Sequence, residues 1–128
     1  MTLVTGGAFQ GKTDFAVKTL GVAVGDILDG ENCAVDDVMR AAAVRNFERL
    51  VKRIMGDGAV DFAKRLCCEN PDIIVITTEI GGGIIPIDSD SRRWREETGK
   101  ACCVLAEFAE NVYRINCGIP LKLKGQDL

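Results

Sequence analysis

The fold is decided by the stretch Thr2-Leu3-Val4-Thr5-Gly6-Gly7-Ala8-Phe9-Gln10-Gly11-Lys12-Thr13, in which an apolar run opens into a glycine-rich turn and then a helical pattern. This layout is typical of a P-loop, because glycines let backbone N–H groups close around phosphate oxygens where a side chain would block the approach. The spacing therefore predicts a nucleotide triphosphate site, whose binding residues we expect to be Gly6, Gly7, Ala8, Phe9, Gln10, Gly11, Lys12 and Thr13.

Two residues of this loop carry predicted chemical roles. Lys12 is the candidate catalytic cation that reaches the β- and γ-phosphates. The Thr13 hydroxyl is expected to coordinate the Mg²⁺ that accompanies ATP or GTP. The alternative is an ordinary glycine-rich turn with a surface lysine. We favour the P-loop because Phe15, Ala16 and Leu20 have the spacing of the buried side of a following helix.

Composition limits the classes of protein that the chain can belong to. It has 128 residues, enough for one domain spanning 1–128, and 19 acidic residues against 16 basic ones. The net charge of −3 predicts no nucleic-acid partner. No leader or membrane-length apolar run is apparent, so the sequence favours a cytoplasmic protein. The six cysteines form no C-x-x-C pair, and we interpret them as structural thiols.

Three acidic residues are candidates for metal binding or catalysis. The apolar segment 22–28 ends at Asp29, which we predict to bind Mg²⁺ from a strand neighbouring the P-loop strand, with Asp26 as the second choice. A turn-forming aspartate is the alternative. Glu79 follows the β-branched run 72–78 and is the candidate base or metal ligand, although a carboxylate that caps a loop amide fits equally well.

The remaining periodicity predicts alternating strands and helices. Strands are expected at 1–5, 22–28, 72–78 and 111–117, and the chain then closes in an extended tail. The helices predicted after the P-loop helix are one at 33–55 capped by Asn32, a shorter one ending at 70–71, and one at 91–109. The fold class is therefore α/β, a P-loop NTPase-like three-layer sandwich with a small, mainly parallel sheet.

Two of the predicted helices carry clusters of basic residues. The polar side of the 33–55 helix has Arg45, Arg49, Lys52 and Arg53, and we interpret it as a solvated face. Arg92, Arg93 and Arg95 begin the last helix. One of these three can serve as an arginine finger, although exposed helix charge is the default interpretation.

The glycine-rich segment 76–86 carries a family resemblance. Ile76-Thr77-Thr78-Glu79-Ile80-Gly81-Gly82-Gly83-Ile84-Ile85-Pro86 resembles the corresponding motif of the adenosylcobinamide kinase/adenosylcobinamide-phosphate guanylyltransferase family of cobalamin biosynthesis. The resemblance extends to 3–7, to Arg93-Trp94-Arg95-Glu96 and to 118–122. It implies phosphorylation of adenosylcobinamide by ATP or GTP, followed by guanylyl transfer through a histidine, and a homo-oligomer, in this family a trimer.

The sequence also departs from that family's pattern. It contains no histidine, and a strand, a helix and the histidine nucleophile that the family carries after its P-loop helix are absent. Three hypotheses follow: a reduced kinase acting on a corrinoid alcohol, a non-catalytic nucleotide-binding module that regulates or assembles with another protein, and a kinase for another small molecule.

Overall fold

The structure is a computed structural model, and it describes residues 1–80 and 88–125. The predicted loop at 81–86 therefore lies outside the described residues. Four helices are present: α1 (Lys12–Lys18), α2 (Phe47–Ile54), α3 (Ala59–Glu69) and α4 (Ser89–Phe108). The six strands are β1 (Thr2–Gly6), β2 (Ile27–Asp29), β3 (Ala43–Arg45), β4 (Ile74–Ile76), β5 (Asn111–Asn116) and β6 (Ile119–Lys124).

The strands form one sheet in the order β2-β3-β4-β1-β5-β6. All neighbours are parallel except β5 and β6, which pair antiparallel. β1 and β4 lie in the interior of the sheet, which explains why their sequences are apolar on both faces. The predicted α/β class with a mainly parallel sheet is confirmed.

Helices cover both faces of this sheet. Alternate strand residues such as Leu3, Val44 and Val75 belong to the larger core, which also contains buried residues of α2, α3 and α4. Their neighbours Val4 and Ile76 point to the opposite face, where Phe15 and Ala16 of α1 complete a smaller core. The period of two along each strand thus divides the molecule into the three layers of the predicted sandwich.

The predicted 33–55 helix is wrong. Residues Val35–Arg40 form a 3₁₀ segment, Ala43–Arg45 form β3, and only Phe47–Ile54 are α-helical. The physical reason is tertiary: β3 fills the place between β2 and β4, and the Asn70 side chain donates to the carbonyls of Val38 and Ala41 at 3.0 and 2.9 Å. Asn32 caps no helix; the residue before α2 is Asn46, in the left-handed region at φ 54°.

Two smaller expectations also need correction. Of the strand predicted at 22–28, only residues 27 and 28 belong to a strand, and with Asp29 they form β2, a half-buried edge strand. The extended tail is β6, joined to β5 by Cys117 and Gly118 with φ of 53° and 75°. Two residues with positive φ are what a tight hairpin of type I′ requires.

The helices predicted near 59–70 and 91–109 are confirmed as α3 and α4. Asp88 precedes α4, and its carboxylate accepts the backbone N–H of Ser91 at 2.7 Å, which satisfies a free donor of the first turn. Among the described residues, none of these helices combines the length and the hydropathy that a membrane span requires.

Candidate functional site

The glycine-rich loop lies between the end of β1 and the start of α1. Gly6 has a φ of 152°, and a Cβ placed on it would lie 2.5 Å from the carbonyl oxygen of Ile115 in β5. Gly11 precedes α1 at φ 91°. Both positions therefore require glycine, one for close approach of two strands and one for a left-handed turn. Phe9, also at positive φ, is fully exposed.

The β5–β6 hairpin holds the loop from one side. The backbone N–H of Cys117 donates to the side-chain oxygen of Gln10 at 2.5 Å, and that of Gly118 donates to the Gln10 carbonyl at 2.9 Å. Since residues 117 and 118 form the turn of the β5–β6 hairpin, this hairpin fixes the conformation of the glycine-rich loop.

Lys12 lies inside the loop that it belongs to. Its ammonium donates to the Gly7 carbonyl at 2.6 Å, and the residue is only 8% exposed. Burial lowers the pKa of Lys12 from its usual 10.5, while the negative charges of Glu48 and Glu79 act to raise it. The result is a mostly buried cation whose ammonium contacts a carbonyl of its own loop.

A cavity of about 470 Å³, which we call the loop cavity, opens beside Lys12. One wall is the glycine-rich loop with Thr13, and the other comes from the β3–α2 region and the end of β4. The residues that the β3–α2 region contributes are Arg45, Asn46, Glu48 and Arg49. The predicted helical position of Arg45 is wrong, because this residue ends β3. Arg49 does lie in a helix, α2, and both arginine side chains are 47% exposed while they line this cavity.

Glu48 is the site residue that the sequence analysis missed. Its side chain is 5% exposed and accepts the backbone N–H of Thr78 at 3.0 Å. The indole N–H of Trp94 in α4 donates to the Glu48 carbonyl at 2.7 Å, which fixes this turn of α2. The sequence does contain a signal for a functional role of Glu48, because this acidic residue lies among the apolar residues Phe47, Leu50 and Val51, which are buried.

Glu79 lies three residues beyond β4, at the carboxyl edge of the sheet. Its N–H donates to the Gly6 carbonyl at 2.9 Å, so it sits beside the loop. The carboxylate accepts two hydrogen bonds from the guanidinium of Arg114, at 2.9 and 3.1 Å. Among the described residues, the Glu79 carboxylate therefore pairs with Arg114 and does not cap a backbone amide.

Asp29 ends β2, and β3 and β4 separate that strand from β1. The expectation of a neighbouring strand is therefore wrong. The Asp29 carboxylate accepts hydrogen bonds from the Glu31 N–H at 3.0 Å, from the Asn46 amide at 2.9 Å and from Arg45 at 3.3 Å. Partial burial acts to raise the pKa of Asp29, but these partners lower it overall. Its metal role stays a prediction.

The magnesium roles of Thr13 and Asp29 stay predictions. Within residues 1–80 and 88–125, no group of three or more His, Cys, Asp or Glu side chains can hold a metal ion. Thr13 lines the loop cavity and has the oxygen donor that this metal prefers.

Two other sets of side chains can now be placed. Neither Arg92, Arg93 nor Arg95 lines the loop cavity; Arg92 and Arg95 line a groove between α3 and α4. The six cysteines all lie in the described part of the chain and are free thiols; Cys67 is buried, whereas Cys68, Cys103 and Cys117 are exposed.

The fold and the loop define a P-loop NTPase-like α/β protein, in which a glycine-rich turn joins the central strand β1 to a helix. Residues 27–123, about three quarters of the chain, match the family described as cobinamide kinase / cobinamide phosphate guanyltransferase. The chain belongs to this family. The match begins after the glycine-rich loop, so it does not depend on residues 6–13.

A curated relative agrees with this assignment. The chain is 38% identical over 56 residues to the bifunctional adenosylcobalamin biosynthesis protein CobP of Pseudomonas aeruginosa. The aligned stretch covers 44% of this chain and 32% of that protein, so the chain corresponds to about a third of the relative that it matches.

Proposed function

We propose that this protein binds ATP or GTP with Mg²⁺ in the loop cavity and transfers the γ-phosphoryl group to the hydroxyl of adenosylcobinamide or a related corrinoid alcohol. The observation that carries the proposal is Lys12, a residue only 8% exposed whose ammonium lies 2.6 Å from the Gly7 carbonyl within the glycine-rich loop of a cobinamide kinase family member.

Each residue of the site has a part in this mechanism. Lys12 and the backbone N–H groups of residues 6–13 bind the phosphates, and the N-terminus of α1 adds a partial positive charge. Thr13 would hold Mg²⁺, which neutralises phosphate charge when bound. Arg45 and Arg49, which line the same cavity, supply further positive charge for phosphate oxygens.

Glu79 is the group proposed to orient the acceptor hydroxyl and accept its proton. It lies at the carboxyl edge of the sheet and close enough to Lys12 for its charge to raise the pKa of that lysine. The two hydrogen bonds from Arg114 fix the direction of the carboxylate. This positioning matters because phosphoryl transfer depends chiefly on orientation and electrostatics.

Guanylyl transfer is not part of the proposal. The chain has no histidine, so a nucleotidyl-histidine intermediate cannot form on it. The same observation favours a second candidate function: a nucleotide-binding module without turnover, which regulates or assembles with another protein. A kinase acting on a different small alcohol is the third candidate.

Lys12→Ala tests the proposal. Calorimetric titration with Mg²⁺–ATP and Mg²⁺–GTP is expected to show binding by the wild type and a large loss in the variant, and phosphoryl transfer to cobinamide is expected to fall about a hundredfold or more. Lys18→Ala is the matched control, since Lys18 is the exposed lysine at the other end of α1.

The outcomes separate the three candidates. Transfer that requires cobinamide supports the corrinoid kinase, binding without turnover supports the module, and turnover with another alcohol supports the third candidate. Equal affinity and rate in wild type and Lys12→Ala would overturn all three, because each depends on the loop.

A further inference from the structure

A groove of about 890 Å³ lies between α3 and α4 and shares no described lining residue with the loop cavity. We call it the α3–α4 groove. On α4 its lining residues recur every three or four positions from Arg92 to Val104, so they form one stripe along the helix. At about 1.5 Å of rise per residue, this stripe is about 18 Å long, or about three helical turns. Val60 and Lys64 line the groove from α3.

The α3–α4 groove is basic. Among its described lining residues, Lys64, Arg92, Arg95 and Lys100 are cations and Glu96 alone is an anion. Lys64, Arg92 and Lys100 are exposed and form no ion pair with any residue that the structure describes. Even without Arg95, these side chains carry a net charge of +2, whereas the whole chain carries −3. The groove therefore attracts anionic groups, although the chain as a whole is acidic.

The floor of the groove is apolar and is formed by small residues. Val60 and Val104 are half-buried, Cys103 is exposed, and Gly99 lies near the middle of the stripe. A Cβ on Gly99 would meet no atom within 4 Å, so packing among the described residues does not require glycine there. Glycine also disfavours the interior of a helix. What Gly99 provides is open space, in which the backbone of another segment can approach α4 closely.

These features select the kind of segment that fits the groove. Carboxylates of Asp and Glu are the protein groups that pair with arginine and lysine, and aliphatic side chains match the apolar floor. An amphipathic helix presents both at the same three- and four-residue spacing as the stripe on α4. An extended strand would gain less, because the backbone groups in the middle of α3 and α4 already bond within their own helices.

Two other anionic partners fit the groove less well. A nucleic acid would bring phosphates close to Glu96, and it would find no aromatic side chain for base stacking among the described lining residues. An anionic membrane presents a broad flat surface that cannot reach the floor of a groove, and the net charge of −3 on the chain opposes its approach.

We propose that the α3–α4 groove is the docking site for an acidic amphipathic helix of a partner protein. The aliphatic side chains of that helix lie over Gly99, and its carboxylates pair with Arg92 and Lys64. This inference goes beyond phosphoryl transfer, because it assigns the chain a protein partner. It also gives Arg92 a role in binding, at a place that does not line the loop cavity.

Peptide display on the full chain tests the class of partner. A library of random peptides of about 15 residues, long enough for the three turns of the stripe, is selected for binding to the wild type. We expect the enriched sequences to be rich in Asp and Glu, with Leu, Ile or Val at a spacing of three and four. Fluorescence anisotropy of the synthetic peptides is expected to show several-fold weaker binding at about 0.5 M salt than at about 0.05 M, because salt screens exposed charges.

Arg92→Glu is the first test variant. It is expected to bind the enriched peptides about tenfold more weakly than the wild type, which equals about 1.4 kcal/mol. Lys64→Glu reverses a charge on the α3 side of the groove and is expected to act in the same way. Arg93→Glu is the matched control, because it makes the same change at the next residue of α4, which is exposed but does not line the groove. We expect it to bind within about threefold of the wild type.

Gly99→Leu separates docking from stability. Leucine suits a helix interior better than glycine, and its Cβ meets no atom within 4 Å, so the variant is expected to unfold at the same temperature as the wild type or a higher one. The added side chain fills the open space over the floor, so peptide binding is nevertheless expected to fall about tenfold.

The outcomes are distinct. Weaker peptide binding in Arg92→Glu, Lys64→Glu and Gly99→Leu, but not in Arg93→Glu, supports the docking site. A selection that enriches no acidic sequences, or peptides that bind all four variants like the wild type, would overturn it. So would peptide binding that is weakened only in a Gly99→Leu protein with a lowered unfolding temperature. A wild type that ignores the peptides but binds single-stranded RNA or anionic vesicles, or dimerises, through Arg92 would replace the acidic helix by that other partner.

Discussion

At the residue scale, Lys12 combines a positive charge with burial and has no carboxylate within ion-pair distance in the described structure. Burial lowers the pKa of Lys12 below 10.5, and Glu48 and Glu79 only partly oppose this effect. Burying an unpaired cation destabilises the ligand-free protein, and an anion that enters the loop offsets this cost. We therefore expect the loop to bind an anion more readily than a neutral ligand.

Lys12→Met is expected to remove a pH dependence of stability. The unfolded chain binds the Lys12 proton more tightly than the folded chain, so this residue's contribution to the free energy of unfolding rises with pH from its lowered pKa up to 10.5. The gain in stability from Lys12→Met should therefore be largest near neutral pH and shrink toward pH 10.5. Urea unfolding of the wild type and Lys12→Met between neutral pH and pH 10.5 measures this difference in the free energy of unfolding.

The Lys18→Met variant is the control for this series, because it makes the same substitution at an exposed lysine of the same helix. A Lys12→Met difference that stays constant up to pH 10.5 would contradict a lowered Lys12 pKa.

Asp29→Asn is expected to destabilise the protein by about 1 kcal/mol at neutral pH, because the carboxylate joins the ends of β2 and β3 through charge-assisted hydrogen bonds. The pKa of Asp29 is below its usual 3.8 in the folded state. Its stabilising effect is therefore present above pH 3.8 and is lost as the pH falls through the folded pKa.

Denaturant unfolding of Asp29→Asn at neutral and acidic pH measures this difference, and Asp26→Asn, an exposed aspartate just before β2, is the control. If Asp29→Asn unfolds like the wild type at neutral pH, the carboxylate does not hold the strand ends together.

At the element scale, local signals predict some segments and tertiary pairing decides others. The β-branched run of β4 and the apolar spacing of α3 and α4 are local signals, so the sequence alone was sufficient to predict these elements. Residues 33–46 carry apolar residues at helical spacing, yet Ala43–Arg45 form a strand because they pair with β2 and β4 in the sheet. The periodicity of a segment does not reveal which strands are available to pair with it.

Gly30→Ala tests how closely β2, β3 and α2 are joined. A Cβ on Gly30 would lie 2.6 Å from the Asn46 carbonyl oxygen and 3.0 Å from that of Arg45. Neither carbonyl is free to move, because the Gly30 N–H donates to Arg45 at 2.8 Å and the first turn of α2 donates to Asn46. We expect a loss of about 2 kcal/mol in the free energy of unfolding.

Thermal and urea unfolding measure the effect of Gly30→Ala. Gly25→Ala is the matched control, since a Cβ there meets no atom within 4 Å and the residue does not have a positive φ. Equal stability of the two variants would show that the β2–α2 junction can relax.

At the scale of the whole molecule, the sequence predicted the loop of the candidate site but not its opposite wall. Gly6, Gly11 and Lys12 are contiguous with the strand and helix that they connect, so their arrangement follows from local sequence. Arg45, Glu48 and Arg49 reach the loop cavity only because β3 enters the sheet and Trp94 holds the first turn of α2. Both causes are long-range contacts.

The β6 edge of the sheet presents an apolar face to solvent. Ile119, Leu121 and Leu123 alternate along the strand and are 69%, 59% and 56% exposed. A row of aliphatic side chains on an edge strand favours pairing with another surface. Together with the homo-oligomer that the family resemblance implies, this leads us to expect that copies of the chain associate through β6.

Leu121→Asp is expected to shift the protein to a lower oligomeric state, because a charge in the middle of this face must be desolvated on association. Size-exclusion chromatography with light scattering, at micromolar concentration, measures the mass. Val24→Asp is the control: Val24 is 71% exposed and precedes β2, at the opposite edge of the same sheet. A wild type that is already monomeric, or a Leu121→Asp protein of unchanged mass, would contradict association through β6, whereas a loss of mass in both variants would show that added charge alone disperses the protein.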